Sequence, residues 1–245
     1  MSSEHRVQLQ PAYLLHRKPF RDTSLLLELF TPEYGRIGLV ARGARGVRSK
    51  LKGVLQPYQS LLISWSGRGD LPTLTSAESQ GGGGIFLQGD ALISGFYLNE
   101  LLMRLLARHD PHSHLFSCYH TVLQALIKGD DLDWALRLFE RDLLQELGYG
   151  LLLTQEGQNG AAVEPDARYC YHHESGPQRI FSEQGGRLSV QGATLLALAS
   201  GECKDRQLRR ESKLLMREVL GRYLGSRPLA SRELFRQKRP RNEEE

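Results

Sequence analysis

The chain has 245 residues, 40% of them hydrophobic and 24% charged, with a formal net charge of +4, which is enough for one large domain or two modest ones around a real core. No apolar run of about 18 residues is present to span a membrane. The first thirty residues lack the apolar stretch and cleavage site of a signal peptide, and Cys118, Cys170 and Cys203 are too few and too scattered for a disulfide framework, so a soluble, cytoplasmic protein is expected.

Charge is unevenly spread. Residues 1–80 carry eleven Lys/Arg against six Asp/Glu, residues 81–203 eight against fifteen, and residues 204–245 thirteen against seven. A basic head and a basic tail around an acidic middle predict an anionic partner at two places.

Residues 7–80 read as β structure, with strands predicted at Val7–Leu15, Ser24–Phe30, Arg36–Arg42, Pro57–Ser64 and Leu71–Ala77. Each is bounded by turn chemistry such as Lys18-Pro19, Thr31-Pro32-Glu33-Tyr34-Gly35 and Gly67-Arg68-Gly69. Five short strands suit a small closed barrel, OB-fold or SH3-like. Four successive glycines, Gly81–Gly84, cannot readily hold a strand or helix, because each loses maximal backbone freedom on ordering; a linker at 81–89 is placed there.

Three helices follow in 90–147, on the spacings of Leu92 to Leu105, Leu115 to Leu126 and Leu132 to Leu147, the last closed by Gly148. Residues 150–190 lose this period and read as an irregular insertion with short strands at Arg168–Tyr171, Arg179–Phe181 and Arg187–Val190. Helical spacing returns at Ala193–Ala199 and Asp205–Leu224.

Tyr34 to Gly69 holds seven basic residues (Arg36, Arg42, Arg45, Arg48, Lys50, Lys52 and Arg68) and no acid in 36 residues. Strands flanking a cationic, Gly-rich loop suit a surface that tracks a phosphate backbone; a merely solvated loop is the bland alternative. The last helix sets Leu208, Leu215, Val219 and Tyr223 opposite Arg206, Arg210, Lys213 and Arg217, with Arg209 bordering. An ordinary solvent face mixes signs, so this stripe is a second candidate for phosphates. Tyr13, Phe20, Tyr58 and Trp65 are either core residues or platforms for bases.

Signs of an enzyme are absent: no phosphate-binding loop, dinucleotide fingerprint, nucleophile elbow or zinc-protease motif occurs. Asp130, Asp131 and Asp133 precede the third helix, where capping and dipole pairing explain them. Cys170-x-x-His173 has ligand spacing, with His172 beside it, but the stretch that should carry the partner pair, Thr154–Gln158, offers no Cys or His; no metal and no cofactor are expected. On the third helix Trp134, Arg137, Leu138, Arg141 and Leu144 share one flank. They form either a helix-packing surface with snorkelling arginines or a shallow apolar pocket rimmed by Arg, fit for an acidic peptide ending in an apolar side chain.

The stretches F-R-D-T-S-L-L-L-E-L-F-T-P-E-Y-G-R-I-G-L-V-A-R-G-A-R (Phe20–Arg45), L-K-G-V-L-Q-P-Y (Leu51–Tyr58), Y-L-N-E-L-L-M-R-L-L (Tyr97–Leu106), A-L-R-L-F-E-R-D-L-L-Q-E-L-G-Y-G (Ala135–Gly150) and P-L-A-S-R-E-L-F (Pro228–Phe235) resemble the RecO family of bacterial DNA repair and recombination mediators. They fall in order over nearly the whole chain. The resemblance implies an α+β multidomain fold: an N-terminal OB-fold β-barrel (1–80), then a mainly α-helical domain (90–245) with the small β-containing insertion. It implies a non-enzymatic protein that binds single- and double-stranded DNA and anneals complementary strands. Partners implied are RecR and the acidic C-terminal tail of single-stranded-DNA-binding protein, with RecA loading as the outcome and the nucleoid as the place. By motif position Arg36, Arg42, Arg45 and Lys52 would meet DNA, and Arg137 the acidic tail. Some members carry a four-cysteine zinc site in the insertion; this sequence keeps only Cys170 and nearby His residues. An RNA- or tRNA-binding OB module, a scaffold for acidic proteins and a nuclease are the rival readings.

Overall fold

The computed structural model describes residues 6–80, 87–129, 131–181 and 188–238. Gly81–Gly84, Asp130 and Arg187, each used above, lie outside them. The described chain forms two compact units, 1–128 with 229–245, and 129–228.

The first unit is built on a closed barrel of β1 (Arg6–Phe20), β2 (Ser24–Thr31), β3 (Gly35–Ala41), β4 (Ser60–Ser66) and β5 (Thr73–Ser79), in the order β1-β2-β3-β5-β4. That order, with a short α1 (Leu51–Val54) between β3 and β4, is the OB-fold. Alternation sends Ala12, Leu14, Leu27, Leu29, Ile37, Leu39, Leu61 and Ile63 inward, all at most 3% exposed. Closure is uneven: β2 and β3 pair over seven residues from Leu25↔Ala41 to Thr31↔Gly35, whereas β3 and β5 share the single pair Val40↔Thr73.

Two boundaries differ from the sequence expectation for physical reasons. Lys18-Pro19 is not a turn: β1 continues to Phe20 in a long hairpin, with Pro19 opposite Leu25 near its tip, a place a strand tolerates proline. The span 57–64 slides to Ser60–Ser66 because Tyr58, at φ 67°, turns the chain before the strand begins.

Two helices pack on this barrel, α2 (Gly89–Leu105) and α3 (Ser113–Lys128), and α7 (Ala230–Lys238), not anticipated from sequence, packs on α2. Tyr13 and Phe30, cross-strand partners on the barrel's outer surface, pack against Phe116 and Tyr119 of α3 at ring separations of 5.0–6.3 Å. Asn99 of α2 ties the layers together, donating to Leu15 O at 2.9 Å and accepting from Tyr119 Oη at 2.5 Å. Gly95 lets α2 approach: a Cβ there would lie 2.7 Å from Tyr58 Cε1. The carboxylate of Glu100 caps α7, accepting from the Ala230 and Ser231 amides at 2.9 and 3.0 Å and from Ser231 Oγ at 2.7 Å.

The second unit holds α4 (Leu132–Glu146), a three-stranded sheet in the order β7-β6-β8 (β6 Arg168–His172, β7 Gly176–Ile180, β8 Ser189–Gln191), α5 (Gly192–Ser200) and α6 (Arg206–Leu224). Gly148 closes α4 as its sequence position suggested. At φ +80° it lets its own amide reach Gln145 O and that of Tyr149 reach Leu144 O, the paired bonds of a Schellman cap. Among the described residues no helix is long and apolar enough to cross a membrane.

Candidate nucleic-acid interface

The long β1–β2 hairpin and the β3–α1 loop meet at one end of the barrel. The Arg45 amide donates to Thr23 O at 2.7 Å and its guanidinium to Arg21 O at 3.3 Å. From β1, Arg17 donates to Leu55 O at 2.5 Å and to Gln56 Oε1 at 3.2 Å, just past α1. Successive turns (Gly46 N to Gly43 O, Ser49 N to Gly46 O) coil the loop and hold Arg42, Arg45, Arg48, Lys50 and Lys52 exposed. The side chains of Arg42, Arg48, Lys50 and Lys52 make no ion pair among the described residues. The hairpin adds Arg17, Lys18 and Arg21, all exposed, with the Arg21 guanidinium 5.2 Å from the half-buried Phe20 ring. Asp22 at the hairpin tip is the carboxylate nearest in sequence.

Between hairpin and loop the outer barrel surface is apolar. Leu25, Leu27 and Leu29 point inward, so Leu26 points out, opposite its half-buried partner Val40. The sequence reading missed Arg17, Lys18 and Arg21 because it began the basic cluster at Tyr34. The readable signal was hairpin register, which brings the end of β1 beside the end of β3 across β2.

Arg36 does not join this surface. Its side chain is 16% exposed and pairs with Glu28 at 3.6 Å, and Glu28 also binds Arg108 from the α2–α3 connection. Burial lowers the Arg36 pKa below its ordinary value, with Arg108 acting the same way and Glu28 against it. Arg36 is thus a structural cation clamping that connection to β2 and β3; its backbone carbonyl also accepts from His109 N at 3.0 Å. Arg68 is exposed on the β4–β5 loop, whose Pro72 O accepts from Val40 N at 2.9 Å near the end of β3. Of the aromatics, Tyr13, Tyr58 and Trp65 are 1%, 4% and 4% exposed and belong to the core; Phe20 alone stands beside the cations.

In the second unit, α6 presents Arg206, Arg210, Lys213 and Arg217 to solvent, opposite buried Leu215 and Val219. Lys213 pairs with Asp133 at 2.9 Å and Arg209 with Asp131 at 2.6 Å. These contacts correct the capping account of the Asp cluster: Asp131 is the N-cap residue of α4 but makes no side-chain cap bond. Arg206, Arg210 and Arg217 carry no ion pair among the described residues.

The flank of α4 expected to rim an open pocket is packed inside the second unit. Arg137 is 6% exposed and bound to Glu140, itself 1% exposed. Trp134 is buried and donates through Nε1 to Gly201 O at 2.9 Å. Arg141 donates to Leu198 O at 2.6 Å at the C-terminal end of α5, and Leu138 is half-buried. The guanidiniums are spent on internal carbonyls and carboxylates, so these residues form a helix-packing surface. Cys170 is buried, and His173 hydrogen-bonds Tyr223 Oη at 2.8 Å; no cluster of metal-ligating residues occurs among the described residues.

Comparison with known proteins decides the family. The model described as "Recombination protein O N terminal" matches residues 5–81, and "Recombination protein O C terminal" matches residues 87–233. The chain belongs to the RecO family. DNA repair protein RecO of Methylococcus capsulatus is 51% identical over 231 residues, covering 94% of each chain. That of Nitrosococcus oceani is 50% identical over 234 residues, covering 96% of this chain and 95% of its own. The Coxiella burnetii protein of the same name is 46% identical over 231 residues, covering 94% and 98%. The two RecO matches divide the chain at the glycine run, whereas the compact units place α2, α3 and α7 with the barrel. Of the helices that the C-terminal match contributes to the first unit, α2, α3 and their connection are clamped through Tyr13, Asn99 and Glu28, and α7 through Glu100.

Proposed function

We propose that this RecO-family chain acts in DNA repair by binding nucleic-acid phosphates without a covalent step. The observation that carries this is the convergence of Arg17, Lys18, Arg21, Arg42, Arg45, Arg48, Lys50 and Lys52 on one barrel end, beside the apolar pair Leu26 and Val40. Cations hold the backbone of a single or double strand by releasing its counterions. The Arg206, Arg210 and Arg217 stripe of α6 takes a second strand. Two strands held on neutralising surfaces repel each other less, and annealing of complements follows with no nucleotide hydrolysis. Family membership supports RecR and the acidic tail of single-stranded-DNA-binding protein as partners, and RecA loading on the nucleoid as the outcome. No side chain is assigned to those partners, since the flank of Arg137 is internal.

The test is an annealing assay with complementary oligonucleotides in the absence of nucleotide and metal, beside gel shifts with single-stranded DNA, duplex DNA and RNA of one sequence. Faster annealing together with binding of both DNA forms is expected. Binding of RNA alone would transfer the assignment to an RNA module, and failure to shift any nucleic acid would leave only a protein scaffold.

A further inference from the structure

The second compact unit carries an aromatic stack at its surface. Tyr149, just past α4, lies on Tyr223 in the last turn of α6, with ring centroids 4.2 Å apart and planes at 27°. Both rings are held in place. The Tyr149 amide donates to Leu144 O at 2.8 Å within the cap that closes α4. Tyr223 Oη hydrogen-bonds His173 Nε2 at 2.8 Å, and the imidazole meets the Tyr223 ring edge to face at 4.9 Å. Tyr149 remains 49% exposed although Tyr223 covers one face of its ring, so the other face is open to solvent. Its sequence neighbours, Gly148 and Gly150, place no side chain beside it, and at Gly148 even a Cβ would meet open space.

A cation stands at the edge of this stack. Arg222 is exposed and makes no ion pair among the described residues. Burial raises the Tyr223 pKa and Tyr149 acts the same way, with Arg222 against them, which sets the guanidinium charge near the pair.

Scattered apolar side chains on a surface need no explanation, but two rings stacked and fixed with one face left open do. An open ring face continues its stack with any nucleobase, whatever the sequence. The neighbouring cation matches the phosphate that such a base carries. We propose that Tyr149 is a base-stacking platform: a single strand held by the cations of α6 lays one unpaired base on the open ring, with Arg222 toward its phosphate. The inference rests on the phosphate-binding reading of α6 above. It adds that this strand is held unpaired, since a base inside a duplex cannot reach the ring without leaving its stack.

The test compares the full chain with Tyr149→Leu and Tyr149→Phe, each in the Arg42→Ala/Arg48→Ala background that weakens the barrel surface. A labelled oligothymidylate and an abasic strand of equal length are titrated by fluorescence anisotropy. Tyr149→Leu should lose about fivefold or more in affinity for the oligothymidylate and nothing for the abasic strand, and Tyr149→Phe should keep both affinities. Equal loss on the two strands, or no loss on either, overturns the platform while leaving the phosphate surface standing; the second result would leave the stack to a protein partner. No binding of either strand by the unsubstituted protein overturns both readings. Should Tyr149→Leu fold poorly, the unsubstituted protein is crosslinked to a strand bearing photoreactive 5-iodouracil. Adducts on Tyr149 are expected, and adducts confined to other residues reject the proposal.

Discussion

Replacing Arg42 and Arg48 together by Ala tests the barrel surface most directly. Both side chains are exposed, make no ion pair among the described residues and sit on coiled turns held by backbone bonds that alanine preserves. The folded barrel should therefore lose two charges and little else. Each phosphate contact on a single strand contributes about 0.7 to the slope of log affinity against log salt, so two lost contacts flatten that slope by about 1.4. Between 50 and 200 mM salt the parent affinity then falls about sevenfold more than that of the variant. The assay is fluorescence anisotropy of a labelled oligonucleotide at four or more salt concentrations, repeated with unrelated sequences. The loss should be the same for each sequence, because phosphates carry no sequence information. Lys128→Ala, an exposed cation at the end of α3, is the control for net charge and should leave the slope unchanged. A double variant with the parental slope would refute the assignment of the β3–α1 loop. Equal flattening by the Lys128 control would show a diffuse field in place of a defined surface.

Two further outcomes follow from groups used inside the fold. Arg137→Ala removes the guanidinium bound to the nearly fully buried Glu140 and should cost about 1–3 kcal/mol in urea unfolding, whereas Arg137→Met with Glu140→Leu recovers most of that loss; equal loss in both variants would show that the pair is not the reason for burial. Glu100 is pulled upward by burial, but the bonds from Ser231 and Ala230, with the charge of Arg104, outweigh this and leave its pKa below the ordinary carboxylate value. Its contribution is therefore complete above the unfolded-state pKa of about 4.3 and is lost as pH falls through the lower folded value. Amide exchange at Ala230 and Ser231 should rise over that acidic range in the parent, and Glu100→Gln should raise it already at neutral pH.

Much of the barrel was readable because a half-buried strand repeats every two residues, and Leu25, Leu27 and Leu29 against Ile37, Leu39 and Ala41 show that period plainly. The α6 stripe was readable for the same reason at helical period. What failed was the inference from charge to exposure. Arg36 and Arg42 look alike in sequence, yet register separates them. Glu28 stands across from Gly38, one diagonal step from Arg36 on the same outer face, while Arg42 has passed beyond the strand into the loop. Arg137 and Arg206 differ likewise: one faces a glutamate a single helical turn along α4, the other opens α6 beside the N-cap Asp205, whose carboxylate is occupied by the amides of Gln207 and Leu208. No local pattern announces that Asp131 and Asp133 are reserved for Arg209 and Lys213, residues some eighty positions away.

These pairings suggest how one chain separates structural cations from ligand-binding ones. Carboxylates are placed beside the guanidiniums that clamp elements together: Glu28 for the α2–α3 connection, Glu140 within the α4 packing surface, and Asp131 and Asp133 between α4 and α6. Around the exposed cations of the β3–α1 loop the neighbouring sequence is nearly bare of acids, unlike α6, where Asp205, Glu211 and Glu218 stand among the arginines. Between Arg36 and Arg68 there is none, and Asp22 alone occurs at the hairpin tip. An acid inserted into the β3–α1 loop would find several unpaired partners within reach and would close the surface upon itself. On the proposed reading the acid-free stretch keeps the loop open to phosphates, while the buried glutamates hold elements of the fold together. A substitution such as Val47→Glu, at a position 95% exposed and free of packing, should leave stability unchanged while weakening binding to every DNA sequence alike.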